Sequence, residues 1–227
     1  MKTRMFTLLA LAAALVASRS ATHYLIAQSA AAPYTIEMNL YDLTGPSERL
    51  DYPAVYAQTS EGVRSRLSYA GGSMALGEVV RDINYPDGRQ VILYDKLKVK
   101  TLRAPDHIVT LKERAALNTL PCESLQSRGT TKVRADTFLG FPVTVVLMHD
   151  RDTIRTTHWR APAFGCMSLK YTVERRESKD GEWAVTYEGR ATSAKLGEPD
   201  ARLFDLGDDY ETVTEEEAEK RLTAESK

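Results

Sequence analysis

The sequence predicts a mainly β (α+β) chain, folded as a curved antiparallel sheet or open half-barrel with one or two short helices. Three observations carry that expectation. Short runs of β-branched, aromatic and alternating residues recur from residue 34 to residue 196, which is the pattern of strands. Turn residues separate them, most clearly at Pro86-Asp87-Gly88 and Asp180-Gly181, and such turns reverse a chain within a hairpin. Helical spacing with a capping signal is confined to 110–118 and 214–221. About ten short strands joined mostly by hairpins favour an antiparallel sheet over a parallel α/β fold.

Residues 34–41 alternate polar and apolar side chains and read as the first strand. Thr44-Gly45-Pro46-Ser47 ends it. Residues 54–58 and 63–69 read as short strands around Ser60-Glu61-Gly62, and Ala70-Gly71-Gly72-Ser73 as a loop. Residues 78–84 and 89–94 flank the Tyr85-Pro86-Asp87-Gly88 turn. Residues 96–103 place Leu97, Val99 and Thr101 on one face and lysines on the other. A lysine face suits a solvated or edge strand better than an anion site. Ala104-Pro105-Asp106 stops that strand, and Thr110 with Glu113 has capping-box spacing for a helix in which Leu111 and Ala115 share a face.

Leu139-Gly140-Phe141-Pro142 opens a hairpin. Residues 141–149 are rich in large apolar and β-branched side chains, which fit a buried or half-buried strand. Asp150-Arg151-Asp152 breaks it, residues 153–159 return, and Pro162 and Gly165 end the returning strand. Residues 167–175 and 182–188 form a second hairpin around Lys179-Asp180-Gly181, and 190–196 continues it or adds a strand. At the end, Thr214 and Glu217 have capping-box spacing, and Glu216–Lys220 and Glu217–Arg221 are four apart. Residues 214–227 therefore read as a charged helical or disordered tail.

The N-terminus has secretory-signal architecture. Lys2 and Arg4 precede an apolar core over 5–17, which is too short to span a bilayer, and small residues follow. Cleavage sites offer themselves at 17–21 and at 27–32, and the second is preferred because a strand-like run opens at Pro33-Tyr34. The expected organisation is a cleaved signal peptide at 1–31, one β-rich domain at 32–213 and the tail at 214–227. The chain is expected to be periplasmic or secreted. No cysteine follows the apolar core, which excludes a lipid-anchored lipoprotein, and no later segment is apolar for long enough to cross a membrane as a helix. The whole chain holds 30 basic and 31 acidic residues; losing Lys2, Arg4 and Arg19 with the leader leaves 27 basic ones. That balance provides no footprint for nucleic acid.

Chemistry-bearing motifs are sparse. Cys122 and Cys166 are the two cysteines, 44 positions apart. In an exported chain a disulfide is the better reading, with free buried thiols or a redox role as alternatives. There is no Cys-x-x-Cys for redox or zinc chemistry. Gly71-Gly72-Ser73-Met74-Ala75 falls one glycine short of a nucleophile elbow. His23 leaves with the leader, and His107 reads as a loop residue. His149 and His158, on the two arms of the first hairpin near Asp150 and Asp152, match no metal motif and read as hairpin side chains. Trp159 and Trp183 read as sheet packing. No catalytic, cofactor or metal residue is nominated, and an enzyme is not expected.

The ending Pro199, Leu203-Phe204, Tyr210 and Val213, together with Trp159-Arg160-Ala161-Pro162, resembles small exported bacterial proteins, some of them similar to the LolA-like (lipoprotein-carrier, LppX-like) group. The resemblance covers about residues 34–213. It implies a half-barrel with helices over a concave face that holds acyl chains or other apolar ligands. On that resemblance the chain is an envelope protein binding a lipid or lipoprotein acyl chain. The alternative is a non-enzymatic periplasmic module that binds or senses another envelope protein.

Overall fold

The structure is a computed structural model that describes residues 32–69, 78–103, 122 and 130–225. Among these residues twelve strands form one open, curved sheet that does not close into a barrel. In chain order they are β1 (Tyr34–Asp42), β2 (Arg49–Gln58), β3 (Arg64–Tyr69), β4 (Val79–Asn84), β5 (Gln90–Tyr94), β6 (Val99–Arg103), β7 (Thr130–Phe138), β8 (Phe141–Arg151), β9 (Ile154–Ala161), β10 (Met167–Arg175), β11 (Ala184–Leu196) and β12 (Glu211–Thr212). The spatial order is β12-β6-β5-β4-β3-β2-β1-β11-β10-β9-β8-β7. Neighbouring strands are antiparallel except β12, which runs parallel to β6. Two hairpin meanders, β2 to β6 and β7 to β11, are thus joined through β1, which pairs with β2 on one side and β11 on the other.

The predicted hairpins are present. Gly88, at φ 91°, closes the turn between β4 and β5 by donating its N–H to the Tyr85 carbonyl, as a Pro-Asp-Gly turn requires. Gly181 does the same toward Ser178 between β10 and β11. Gly165, at φ 61°, ends the short 3-10 turn Pro162–Phe164 that follows β9. Residues 190–196 continue β11 as one strand of 13 residues.

Four elements differ from expectation. Residues 96–98 are turn and not strand: Lys98 takes a left-handed φ of 55°, so β6 begins at Val99. The lysine alternation runs through this turn because the turn backbone, and not side-chain polarity, reverses the chain. Strand β2 starts at Arg49, although Pro53 lies within it. Proline is tolerated there because β3 pairs only with Val55–Gln58, leaving Pro53 beyond the end of its neighbour. Strand β7 is polar and exposed over much of its length and lacks the alternation that marks the others. Strand β12 is two residues long. The predicted helix at 110–118, His107 and the Gly71–Ala75 stretch lie outside the described residues.

Burial follows the two-residue period of strands. Tyr34, Ile36, Met38 and Leu40 of β1 are all buried on one face, with Ala54 of β2, Leu169 of β10 and Ala191 of β11. Phe164 plugs one end, its ring edge-on to both Tyr34 and Phe141 at 5.7 and 4.7 Å. The opposite face of β9 to β11 is charged: Lys170 and Arg190 pair with Glu188, and Arg155 with Glu174.

The C-terminal residues wrap the β6 end of the sheet. From Glu198 the chain crosses the face of β3 to β6 opposite the β1 core, forms a 3-10 turn at Ala201–Phe204, and adds β12 to the β6 edge. The helix α1 (Glu215–Glu225) then returns over the other face, where Arg103 of β6 donates to Glu215 at 2.7 Å and Ala218 is fully buried. The predicted cap is present: Thr214 Oγ1 accepts from the Glu217 N–H at 3.2 Å. Arg221 pairs with Glu217 four residues back.

Candidate functional site

The residues of the predicted ending work as a clasp. Ser65 donates its hydroxyl to the Leu203 carbonyl at 2.7 Å, and Phe204 and Tyr210 pack on Ile83, Val91 and Leu93. Arg81 reaches up from β4 and donates to the carbonyls of Arg202 and Asp205 and to the Asp95 carboxylate. Tyr210 donates its hydroxyl to that same carboxylate at 2.7 Å. Burial works against the Arg81 charge, yet its bonds to Asp95 outweigh that and raise its pKa. Gly207, at φ 59°, is required here, because a Cβ would stand 2.3 Å from the Tyr210 ring. These groups are saturated by one another, so the clasp is a structural joint.

The other face has a different character. Strand register places Tyr52 and Tyr56 of β2, Met38 of β1, Tyr187 of β11, Tyr171 of β10 and His158 of β9 on the face of the β1 core. Tyr56 and Tyr171 lie three strands apart, about 14 Å on a flat sheet, yet line one cleft of about 360 Å³. The sheet therefore curls toward this face and makes it concave. Met38, Met167 and the two tyrosine rings supply the apolar lining, and Arg160, His158 and Ser168 the polar part. Cys166 also lines the cleft.

Packing holds these rings in place. Tyr171 is paired with Gly189 across β10 and β11, and a Cβ on Gly189 would come within 2.2 Å of the ring. The tyrosine thus lies flat across the glycine, which covers a strand glycine with an aromatic neighbour. His158 stacks on the other side of Tyr171 at 5.8 Å, and its Nδ1 is 2.9 Å from the Ser168 hydroxyl. Burial pushes the phenols of Tyr171 and Tyr187 up; for Tyr187 a hydrogen bond with Tyr52 adds to it. Burial also raises Tyr34 and Tyr56. Burial pulls the Arg160 guanidinium down, and the same side chain donates to the Cys122 carbonyl at 3.2 Å.

Cys122 and Cys166 are brought together, with their sulfurs at bonding distance and their Cα atoms 5.3 Å apart. His149 and His158 are not. His149 pairs with Arg155 and His158 with Val146, an odd separation along both strands, so they point to opposite faces. Among the described residues no group of three or more His, Cys, Asp and Glu side chains converges as a metal site. Trp159 and Trp183 lie on the charged face under Lys170 and between Arg155 and Arg176. Sequence reading missed Tyr56, Tyr171 and Gly189: Tyr56 meets the other two only through β1, more than a hundred residues away from them in sequence, and the hairpin register that sets Tyr171 on Gly189 is not fixed by the turn residues alone.

No known protein family matches the sequence, and no curated relative does. The chain is similar to several solved structures. An uncharacterized conserved protein from Thermus thermophilus is 9% identical, with 86% of this chain and 99% of that one covered at a TM-score of 0.50. The MucA/MucB complex of Pseudomonas aeruginosa is 12% identical, with 83% and 61% covered at 0.39. A putative outer membrane lipoprotein-sorting protein domain from Vibrio parahaemolyticus is 11% identical, with 89% and 97% covered at 0.29. At these identities the likeness concerns the fold alone.

Proposed function

We propose that the chain is an exported envelope protein that binds a hydrophobic ligand, a lipid or a lipoprotein acyl chain, on the concave face of its open sheet. The observation that carries this reading is the aromatic and methionine-lined cleft formed by Met38, Tyr56, Met167 and Tyr171. A concave apolar site with a few polar groups is the ordinary form of a small-ligand site. Tyr171 is held there by a glycine that admits no larger side chain, so the lining is preformed and loses little freedom on binding. Export is supported by the basic-then-apolar leader over residues 1–31 and by the facing cysteines, which pair as a disulfide in an oxidising compartment.

The test is to purify the chain without detergent and identify bound lipid by native and denaturing mass spectrometry. A stoichiometric lipid or fatty acid is expected. A clean protein that also fails to take up added lipid overturns the reading. In that event the alternative, a protein-interaction or sensing module, gains weight. Strand β7, which ends the sheet among the described residues and carries exposed Thr131, Arg134 and Asp136, is where a partner strand would add.

A further inference from the structure

The cysteine pair and the cleft share a wall. Cys166 is half-buried and lines the cleft, as do Met167 and Ser168 after it. Its partner Cys122 is buried, with 3% of its surface exposed. Ala161, Phe164 and Leu169, which flank Cys166 in sequence, are fully buried in the core. Among the described residues the cleft is therefore the open side of this bond. Arg160, another lining residue, donates to the Cys122 carbonyl at 3.2 Å, so both cysteines are tied to the cleft wall.

The backbone at Cys166 is a second observation. It takes a left-handed φ of 64°, directly after Gly165 at 61°. Glycine adopts that region freely, whereas a residue with a Cβ is strained there. The hydrogen bonds of the turn, from the Cys166 N–H to the Ala161 carbonyl and from the Gly165 N–H to the Pro162 carbonyl, use backbone alone, and a second glycine would make them without strain. Such strain is held by the surrounding structure where a side chain is needed for function.

Size completes the argument. A volume of about 360 Å³ lies at the lower end of small-ligand sites and has room for one occupant at a time. An acyl chain and an incoming thiol then compete for the same space. Thiol–disulfide exchange requires the attacking thiolate to reach a sulfur, and its rate depends on that access.

We propose that the Cys122–Cys166 disulfide is reduced through the cleft, by a dithiol that attacks Sγ of Cys166, and that a ligand in the cleft shields the bond. This rests on the reading of the cleft as a hydrophobic-ligand site and adds a redox control to it. The attacking thiolate bonds to Cys166 Sγ, the bond to Cys122 breaks, and Cys122 leaves as a thiolate that takes up a proton. The second thiol of the dithiol loses its proton and displaces Cys166, which leaves as a thiolate and is protonated in turn. The dithiol ends as a disulfide and the chain with two thiols. An empty chain is open to reduction and a loaded one is not.

The experiment uses the full chain, purified without detergent and stripped of bound lipid. Excess dithiothreitol reduces it under native conditions, with and without dodecanoate below its micelle concentration. Samples are quenched in acid, alkylated and counted for free thiols by mass spectrometry, and calorimetry in the same buffer gives the dodecanoate Kd. Reduction is expected to slow in proportion to the unoccupied fraction, about tenfold at a ligand concentration about nine times Kd. A ligand also slows reduction that waits on unfolding, and Arg81→Ala in the clasp separates the two routes. It destabilises the whole fold and would speed an unfolding-limited reaction by about a hundredfold. Reduction through the cleft is expected to stay within about threefold of the parent rate, because the folded form is the one attacked. Dodecanoate that binds without slowing reduction, the large acceleration in Arg81→Ala, or an empty chain that resists the reductant overturns the redox inference alone. Failure of dodecanoate to bind overturns the hydrophobic-ligand reading and this inference with it.

Discussion

The two faces of the sheet meet the same problem, apolar strands in water, in different ways. At the β6 end the chain covers its own sheet: residues 198–210 lie on one face, β12 caps the edge and α1 lies on the other face. Arg81 alone serves two carbonyls, Asp95 and the Tyr210 hydroxyl. On the concave face of β1, β2, β10 and β11, apolar side chains line a cleft whose polar part is Arg160, His158 and Ser168. A single sheet can therefore be locked at one end and receptive in the middle. The difference lies in whether a later segment of the chain covers the face.

If the clasp and the cleft are separate devices, damage to one leaves the other working. The largest effect is expected at the cysteine pair, which ties residue 122 to the cleft lining. A disulfide closing a separation of 44 residues stabilises by about 4 kcal/mol in the chain-entropy model. Replacing both cysteines by alanine should lower the urea midpoint accordingly, and mass analysis with and without reductant shows whether the bond is present. Next is Arg81→Ala, which leaves two carbonyls without their donor and Asp95 without its cationic partner at a buried joint, and should cost about 3 kcal/mol. Lipid uptake by the fraction that stays folded should be unchanged; a loss of uptake would merge the two devices into one.

Gly189→Ala breaks the comparison from the other side. Its Cβ displaces the Tyr171 ring from the cleft floor. Overpacking of this kind costs about 1–3 kcal/mol, smaller than the Arg81 effect, but ligand affinity should fall sharply while the clasp survives. The readout is the ratio of the affinity change to the stability change for the two variants. A ratio equal in both would show that the cleft has no preformed floor.

Alkaline titration sharpens the same contrast. Tyr34, Tyr56, Tyr171 and Tyr187 on the concave face all have phenol pKa values raised above the ordinary value of 10.0, burial being the first cause in each. In the unfolded chain these phenols ionise near 10, while in the folded chain they stay neutral to higher pH. The stability they contribute is therefore complete below pH 10 and is lost as pH rises through and beyond it. Denaturation midpoints measured from pH 8 to pH 11.5 should fall only above 10. Tyr171→Phe should make that fall shallower. An unchanged slope would remove Tyr171 from the set.

Much of this arrangement was legible in the sequence, because local chemistry dictates it. The Pro86-Asp87-Gly88 and Asp180-Gly181 turns, the alternation over residues 34–41 and the Thr214 cap each act over a few residues and appear where expected. The clasp motif was legible as a pattern, with Leu203-Phe204 and Tyr210 spaced for it, but its partners Arg81 and Asp95 lie more than a hundred residues away. Strand register was not legible. Gly189 in β11 resembles any strand glycine until β10 sets Tyr171 against it. Alternation also misled where turn geometry dominates, as at Lys98, and polarity hid β7, whose strand conformation comes from pairing with β8 and not from its own composition.

The smallest expected effect tests what holds the clasp. Arg202 and Asp200 form a close ion pair over the 3-10 turn, and the hydrogen bonds from Arg202 hold the Asp200 carboxyl down to about 2. Both side chains are well exposed, at 89% and 47%, so water and salt screen the attraction and the ordered pair loses side-chain freedom. The useful bond at this turn is the Asp200 cap, which accepts from the Arg202 backbone N–H and survives truncation of the arginine. Arg202→Ala should therefore leave the urea midpoint unmoved within error, in low salt and high salt alike. A clear, salt-sensitive loss would mean that surface charge and not the buried Arg81 joint fastens the C-terminal wrap. The contrast between a sealed end and a receptive face would then rest on a much weaker latch.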